Sequence, residues 1–383
     1  MQVVAEIDLG VSITMAVDHS ILAVCFRYKD LHVFELQEST RVIEWIQDRS
    51  ICVAGCTMGK KNEILELSLP QKLYAKGNQG LCPERDFTVK HGSFSERPIY
   101  ELKHVAGTSL LVSSGPPDTS LQVWRLATDE SDAIILENTV QHQTAGDQWS
   151  KISVNCSPTP RVLHGSKVSN LTIQEIASQK VLFTTGAGGC EPEPISDLEF
   201  LDHFTFSVCS RKGHLWLADS RQRPSLIGCS DVPVSREDGC HWTMGWAPGH
   251  SKVARLCSDG RVLLSDYRDL SRTLGLAELV IPTAVSNSDY LSLTWAPYLQ
   301  DHLAVSGFNG TVHVYDTSSW LAGAGQAEPT FVHRGHSVIA PEAEEKIPLI
   351  TRHAWHPWKR RVLLSTADDC SLHVWHWVDH NTA

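Results

Sequence analysis

The sequence predicts an all-β fold: a single seven-bladed β-propeller over residues 26–383, its ring closed by an early strand laid against the last blade. Three observations carry this. One phrase of strand, Trp-x-Pro, strand, tight turn and strand recurs along the chain. Helical periodicity is hard to find anywhere. A spare strand lies near the N-terminus, while the last repeat runs out of chain before its own fourth strand.

The phrase is clearest in "WAPGHSKVARLCSDGRVLLSD" (246–266), "WAPYLQDHLAVSGFNGTVHVYD" (295–316) and "WHPWKRRVLLSTADDCSLHVWH" (355–376). The proline past the first strand ends it, because it has no amide hydrogen to give to a ladder. Asp259-Gly260 and Asn309-Gly310 read as two-residue hairpin turns, whose positive φ suits Gly and Asn. Weaker copies lie upstream in "EILELSL", "SLQVW", "NLTIQ" and "HLWLAD". Taking Leu67, Val123, Ile173, Leu217, Leu264, Val314 and Val374 as equivalent anchors gives seven units spaced 44 to 60 residues apart. That period with several strands per unit is a propeller blade with loop insertions. The blades are placed at about 40–95, 96–145, 146–192, 193–238, 239–286, 287–336 and 337–378.

Closure follows from what the last unit lacks. Only Trp377 to Ala383 follow its third strand, so Leu31–Leu36 ("LHVFEL") is expected to pair with Ser371–Trp375 and remove two exposed sheet edges. Residues 1–25 are left unassigned.

Composition narrows the function classes. A formal net charge of -11 argues against direct nucleic-acid binding, which needs a basic face. Eleven cysteines are scattered without a CxxC pair. Cys52 and Cys56 lie four residues apart on an expected strand, about 13 Å between side chains, too far to share a zinc by themselves. Free thiols in a reducing compartment are the expectation. The opening "MQVVAEIDLG" has no basic leader region, and "ILAVCF" is too short to cross a bilayer. A cytosolic or nuclear protein away from membranes is therefore expected, taken here as cytoplasmic; on its own the chain is expected to be monomeric.

Enzyme signatures are sparse. "GCTMGKK" (55–61) has three residues between its glycines and no Ser or Thr after the lysine, so it reads as a hairpin and not a phosphate loop. No GxSxG or HExxH occurs. His32, His313 and His373 share one slot in Φ-His-Val-aromatic strands, which packing explains better than metal ligation. The Cys/His-bearing segment 229–242 lacks ligand spacing. No catalytic residue, cofactor or metal is expected. The rival reading is an enzyme or small-ligand binder using the central channel. The inner strands around "LSLTWAP" and "LITRHAWHP" are mainly apolar, which disfavours it.

Candidate partner contacts are of two kinds. Trp358 lies in the turn "HPWKRR" beside Lys359, Arg360 and Arg361; it is either folded under its own turn or an interface anchor. Three inserts, 127–148, 186–196 and the acidic 337–348 with Glu342, Glu344 and Glu345, are either solvated spacers or binding loops. An acidic loop of that kind would face a basic partner surface.

These repeats resemble the WD-repeat family, whose blades often open with Gly-His and end in Trp-Asp. Here Gly335-His336 opens the last blade, and the closing position reads Trp124-Arg125, Ala218-Asp219, Ser265-Asp266, Tyr315-Asp316 and Trp375-His376. The resemblance implies a buried structural network in that blade made of His336, Ser365 or Thr366, Asp369 and Trp375. "RVIEWI", "KKNEILELSLP", "PERDFTVKHG", "LLVSSGPPDTSLQVW", "HRGH" and "SLHVWHWVD" together are similar to one branch of the family. That likeness implies a non-catalytic scaffold or assembly factor. It implies binding to the heterodimeric nuclease subunits of the Integrator complex and masking of their active site during cytoplasmic assembly. It also implies a role in microtubule and spindle organisation, at spindle poles in mitosis, with microtubule-associated factors as partners.

Overall fold

The computed structural model describes residues 28–70, 87–126, 133–141, 148–156, 158–185, 192–222, 226–230, 239–281, 288–320, 325–338 and 348–378. Apart from the single helical turn Gly335–Val338 and short 3-10 segments, the regular structure of those residues is strand. β1 (Tyr28–Glu35) is set aside for closure. The first sheet is then β2 (Glu44–Gln47), β3 (Ser50–Ala54), β4 (Asn62–Ser68) and β5 (Thr88–Ser95). The second is β6 (Glu101–His104), β7 (Leu110–Ser114), β8 (Leu121–Arg125) and β9 (Ile135–Val140). The third is β10 (Lys151–Asn155), β11 (Arg161–Gly165), β12 (Thr172–Glu175) and β13 (Val181–Thr184). The fourth is β14 (Ile195–Phe200), β15 (Thr205–Ser210), β16 (Leu215–Asp219) and β17 (Leu226–Ser230).

The fifth sheet is β18 (Trp242–Trp246), β19 (Lys252–Cys257), β20 (Arg261–Asp266) and β21 (Asp269–Leu279). In the sixth, β22 (Ser292–Trp295), β23 (His302–Ser306) and β24 (Val312–Asp316) are followed by β25 (Gln326–Ala327), which runs parallel to β21 as a fifth strand of the preceding sheet. β26 (Phe331–His333) completes the sixth. The seventh has β27 (Ile350–Trp355), β28 (Val362–Ala367) and β29 (Ser371–Trp377), with β1 outermost. This is a seven-bladed β-propeller.

Each anchor sits on the third strand of its blade, opposite a residue of the second: Leu67 faces Ile51, Val123 faces Val112 and Val374 faces Leu364. The second strands are buried along nearly their whole length because both faces of each sheet pack against a neighbouring blade. At the seam between the last and first blades, Ile51, Val53 and Leu67 meet Val362, Leu364 and Val374. The Trp-x-Pro segments work as expected. The amides of Ala247, Ala296 and His356 make the final ladder bonds to Lys252, His302 and Val362, and the next residue is a proline with no amide to place.

β1 closes the ring. Leu31 faces Trp375, Val33 faces His373 and Glu35 faces Ser371, and the Leu36 amide donates to the Cys370 carbonyl at 2.8 Å. The pairing runs farther than the sequence suggests, to Tyr28 opposite Trp377. Buried Tyr28 packs edge-on against Phe331 of the sixth blade, so the closing strand touches two blades.

Three sequence expectations change. Asp259-Gly260 belongs to a three-residue turn, Ser258 to Gly260, with Gly260 at φ 90°. Asn309-Gly310 is not a two-residue turn either: five residues separate β23 from β24, and the left-handed residue is Gly307 at φ 97°. The Asn309 side chain instead accepts hydrogen bonds from the Thr311 amide (2.9 Å) and hydroxyl (2.5 Å). A Cβ on Gly307 would lie 2.3 Å from the Tyr290 carbonyl oxygen. Gly307→Ala is therefore expected to cost on the order of 3 kcal/mol, from forced φ and clash together. A change in urea midpoint equivalent to less than 1 kcal/mol would contradict this. Lastly, the insert 127–148 contains β9, the outer strand of the second blade. Ile135 and Leu136 are exposed there, so the strand lacks the buried-run pattern of its neighbours; residues 127–132 and 142–147 lie outside the described residues.

Candidate functional site

The last blade holds a one-way chain of buried hydrogen bonds. The Trp375 indole N–H donates to the Ser365 hydroxyl at 3.2 Å. Ser365 lies 2.9 Å from His336 Nε2, and His336 Nδ1 lies 2.7 Å from the Ser371 hydroxyl. Ser371 donates to Asp369 at 2.5 Å. Each hydroxyl can donate once along this line, so the arrangement is consistent only with neutral His336 protonated on Nδ1. Burial holds the His336 ring neutral by pushing its pKa down to about 3. Of the alternatives Ser365 and Thr366, Ser365 joins the chain; Thr366 bonds Thr351 at 3.0 Å instead. Ser371, which links His336 to Asp369, has no motif signal of its own. In the second blade the corresponding Trp124 donates to Ser113 at 2.8 Å.

A second chain runs beside it. The Arg334 amide donates to Tyr28 Oη (3.3 Å), which lies 2.7 Å from His333 Nδ1, and His333 Nε2 lies 3.2 Å from His373 Nδ1. His333, His336 and His373 thus gather ligand atoms within 4.8 Å. The hydroxyls occupy both nitrogens of His336, and its ring stacks on His373 at 3.6 Å. A metal would have to displace those bonds; His373 Nε2 is buried without a hydrogen-bond partner among the described residues. Cys240, Cys257 and Asp259 also converge, but Asp259 is taken by the Arg261 guanidinium at 2.6 Å.

Ser365→Ala strands two buried groups, His336 Nε2 and the Trp375 N–H. It is expected to cost about 2–4 kcal/mol, whereas Thr366→Ser, outside the chain, costs under about 1 kcal/mol. Equal losses in denaturant titrations would show that the chain carries no special weight.

Four antiparallel strands return the chain to the end where a blade began, so every inner strand starts at one mouth of the central channel and finishes at the other. The channel encloses about 520 Å³. Its walls are more charged than the two inner strands read in the sequence suggest, because Glu44, Glu101, Lys103, Lys151, Asp197 and Glu199 come from the others. Most of these groups bind a neighbouring blade. Glu44 accepts the His104 amide (2.9 Å) and Glu101 the Ile152 amide (2.9 Å). Asp197 accepts the Met244 amide at 3.1 Å. Lys151 pairs with Glu101 at 2.9 Å and Lys103 lies 4.0 Å from Glu44. Burial raises the Glu199 pKa against the pull of Lys103. Carboxylates in these positions staple blade to blade.

At the starting mouth the Arg41 guanidinium sits between the rings of Tyr100 (4.1 Å) and Tyr290 (4.8 Å) and donates to the Asp289 carbonyl. Arg211 of the fourth blade pairs with the Asp289 carboxylate at 3.2 Å. The turn Ser288–Tyr290 therefore ties the first, fourth and sixth blades across the mouth. Partners 248 residues apart leave no local signal to read.

At the finishing mouth the Trp358 ring stands edge-on both to His356 of its own turn (6.1 Å, 80°) and to Trp45 of the first blade (6.5 Å, 86°), and it remains 49% exposed. Lys359 and Arg360 are exposed beside it, and Arg361 is half-buried. Glu342, Glu344 and Glu345 lie outside the described residues, as does most of the insert 186–196, whose Glu193 is buried against His214 at 2.9 Å.

No family model matches the chain. It is 44% identical over 363 residues to the Integrator complex assembly factor WDR73 of Danio rerio, an alignment covering 93% of this chain and 95% of the relative. The protein of that name from Xenopus laevis is 42% identical over 365 residues (92% and 96% covered), and that from Homo sapiens 42% over 364 (92% and 95%). Likeness at this level along both chains, on a closed ring of seven blades, leads to one conclusion: the chain belongs to the WDR73 family of WD-repeat proteins.

Proposed function

We propose that this protein is a non-catalytic assembly factor for the Integrator complex, working in the cytoplasm. In this reading it holds the heterodimeric nuclease subunits together and covers their active site until assembly is complete. The observation that supports it is the 42–44% identity, over more than nine-tenths of the chain, to relatives named for Integrator assembly. The geometry agrees: channel carboxylates and lysines bind neighbouring blades, and the outer faces of a rigid ring are left for protein partners.

The experiment is affinity capture of the tagged chain from cytosol with identification of what co-purifies. Stoichiometric recovery of the Integrator nuclease subunits is the expected result. Their absence, with other proteins recovered, would end this reading. The same proposal extends to microtubule and spindle organisation, tested separately by co-sedimentation with polymerised tubulin; failure to pellet would remove a direct role.

A further inference from the structure

Two side chains of the channel wall break the blade-to-blade pattern. Register places Arg352 in the seventh blade where Glu101 stands in the second and Asp197 in the fourth. The three face Thr366, Ser114 and Cys209, each two residues past the anchor's partner on the second strand. Glu101 and Asp197 accept the Ile152 and Met244 amides of the blade that follows. An arginine has no acceptor to offer, so the guanidinium of the closing blade is left to the channel. Glu199 holds the position of Ser153, whose hydroxyl accepts the Phe200 amide at 3.0 Å. It makes no matching bond. Neither Arg352 nor Glu199 has a side-chain hydrogen bond or ion pair among the described residues.

The two groups do not reach each other. β14 belongs to the fourth blade and β27 to the seventh, so Glu199 and Arg352 line facing walls of a channel of about 520 Å³. Lys103 on β6 feels both. The Glu44 carboxylate, 4.0 Å away, holds its ammonium above the usual range against burial; Glu199 adds to that pull and Arg352 opposes it. Burial in turn raises the Glu199 carboxyl against the attraction of Lys103, and the Glu44 and Asp197 charges push it the same way. Lys103 is therefore held chiefly by Glu44, which leaves Glu199 to gain from a second cation. On the facing wall the Arg352 charge weighs on Lys103 and on the buried His353 ring, and an anion would relieve both.

We propose that the channel binds a small zwitterion of the amino-acid class, with its carboxylate on the Arg352 guanidinium and its ammonium on Glu199. A guanidinium gives a carboxylate two parallel N–H donors, and a carboxylate accepts from an ammonium. The volume falls within the about 300–1,000 Å³ of small-molecule pockets. A molecule carrying only one of these charges leaves the other wall unanswered. The site goes beyond the assembly reading, which concerns the outer faces of the ring, and either holds without the other.

The test is calorimetric titration of the full chain with linear ω-amino carboxylates of three to eight carbons, because the span between the walls sets which member fits. One or two neighbouring lengths are expected to bind, at least tenfold more tightly than the alkylamine and the alkyl carboxylate of equal length. Arg352→Gln and Glu199→Gln should each weaken the best member at least tenfold, with urea midpoints matching the parent. Saturating ligand should raise the parent's melting temperature. No binding by any member at about 10 mM would overturn the proposal, as would one-charge controls that bind equally well. Affinity unchanged in both variants would do the same. Inorganic phosphate bound more tightly than every zwitterion would make this a simple anion site and equally refute it. If a glutamine variant does not fold, the zwitterion and its one-charge controls on the parent still decide. Capture of Integrator subunits by parent and variants alike, with no zwitterion bound, sinks this inference and spares the assembly reading. Zwitterion binding without that capture does the opposite.

Discussion

A chain beginning at Leu36, and so lacking β1, is expected to lose its cooperative fold and to elute as oligomers. β1 supplies the whole outer ladder of the last blade, from Tyr28 opposite Trp377 to Glu35 opposite Ser371. Without it β29 becomes a bare edge ready to pair with another chain. Apolar cover goes too. Tyr28 packs among Phe331 and Trp375 at ring distances of 5.3 and 6.5 Å, Leu31 rests on the same core, and Phe34 packs against Phe87. Full burial of a side chain of this size is worth about 1.5–3 kcal/mol; Tyr28 is buried and Leu31 and Phe34 half-buried, so their loss together with the ladder bonds is a large share of the 5–15 kcal/mol that typically holds a domain together. The His333 nitrogen that faces Tyr28 Oη at 2.7 Å is also stranded. A peptide of residues 28–36 added in trans should restore part of the monomer. Size exclusion and thermal scans decide it: a truncated chain that stays monomeric and melts within about 5 °C of the parent would show that closure does not depend on this strand.

Acidification should unfold the protein well before its carboxylates are fully protonated. Burial pushes His336 and His353 down to about 3 and His313 and His356 to about 4. His333 and His373 fall well below the ordinary value as well, through burial and then mutual histidine charge. Because the folded pKa values lie below the unfolded ones, the unfolded chain binds more protons once pH drops under about 6.5. Stability is therefore complete above that pH and is lost as pH falls through the window toward 4. One such histidine costs about 2 kcal/mol at pH 5. Two or three of them take a large share of ordinary stability. Urea midpoints measured at pH 7.5, 6.0 and 5.0 should fall steeply over the last step. A flat profile would mean that these rings are solvated or already charged.

Much of this molecule is legible in one dimension because a blade is a local object. Its strands, its Trp-x-Pro end signal and its anchor on the third strand lie within about fifty residues, and even closure could be counted from the strand the last unit lacks. What escaped had two causes. Turns with Asn-Gly have more than one solution, and at Gly307–Thr311 the approach of the Tyr290 carbonyl chose the longer one. Outer strands such as Ile135–Val140 face water, so they lose the apolar signature that marked the others.

By itself the amino-acid order determined the seven repeats and the closing strand; the buried network of the last blade was implied by family resemblance, and Ser365 and Thr366 stayed open until the hydrogen bonds placed Ser365 in it. Only the tertiary structure decided which residues share a surface. Wrapping a linear array into a ring brings Arg41 to Asp289 and Arg49 and Trp45 to the Trp358 turn. Contacts between chain segments that far apart are set by closure geometry and leave no periodicity to read.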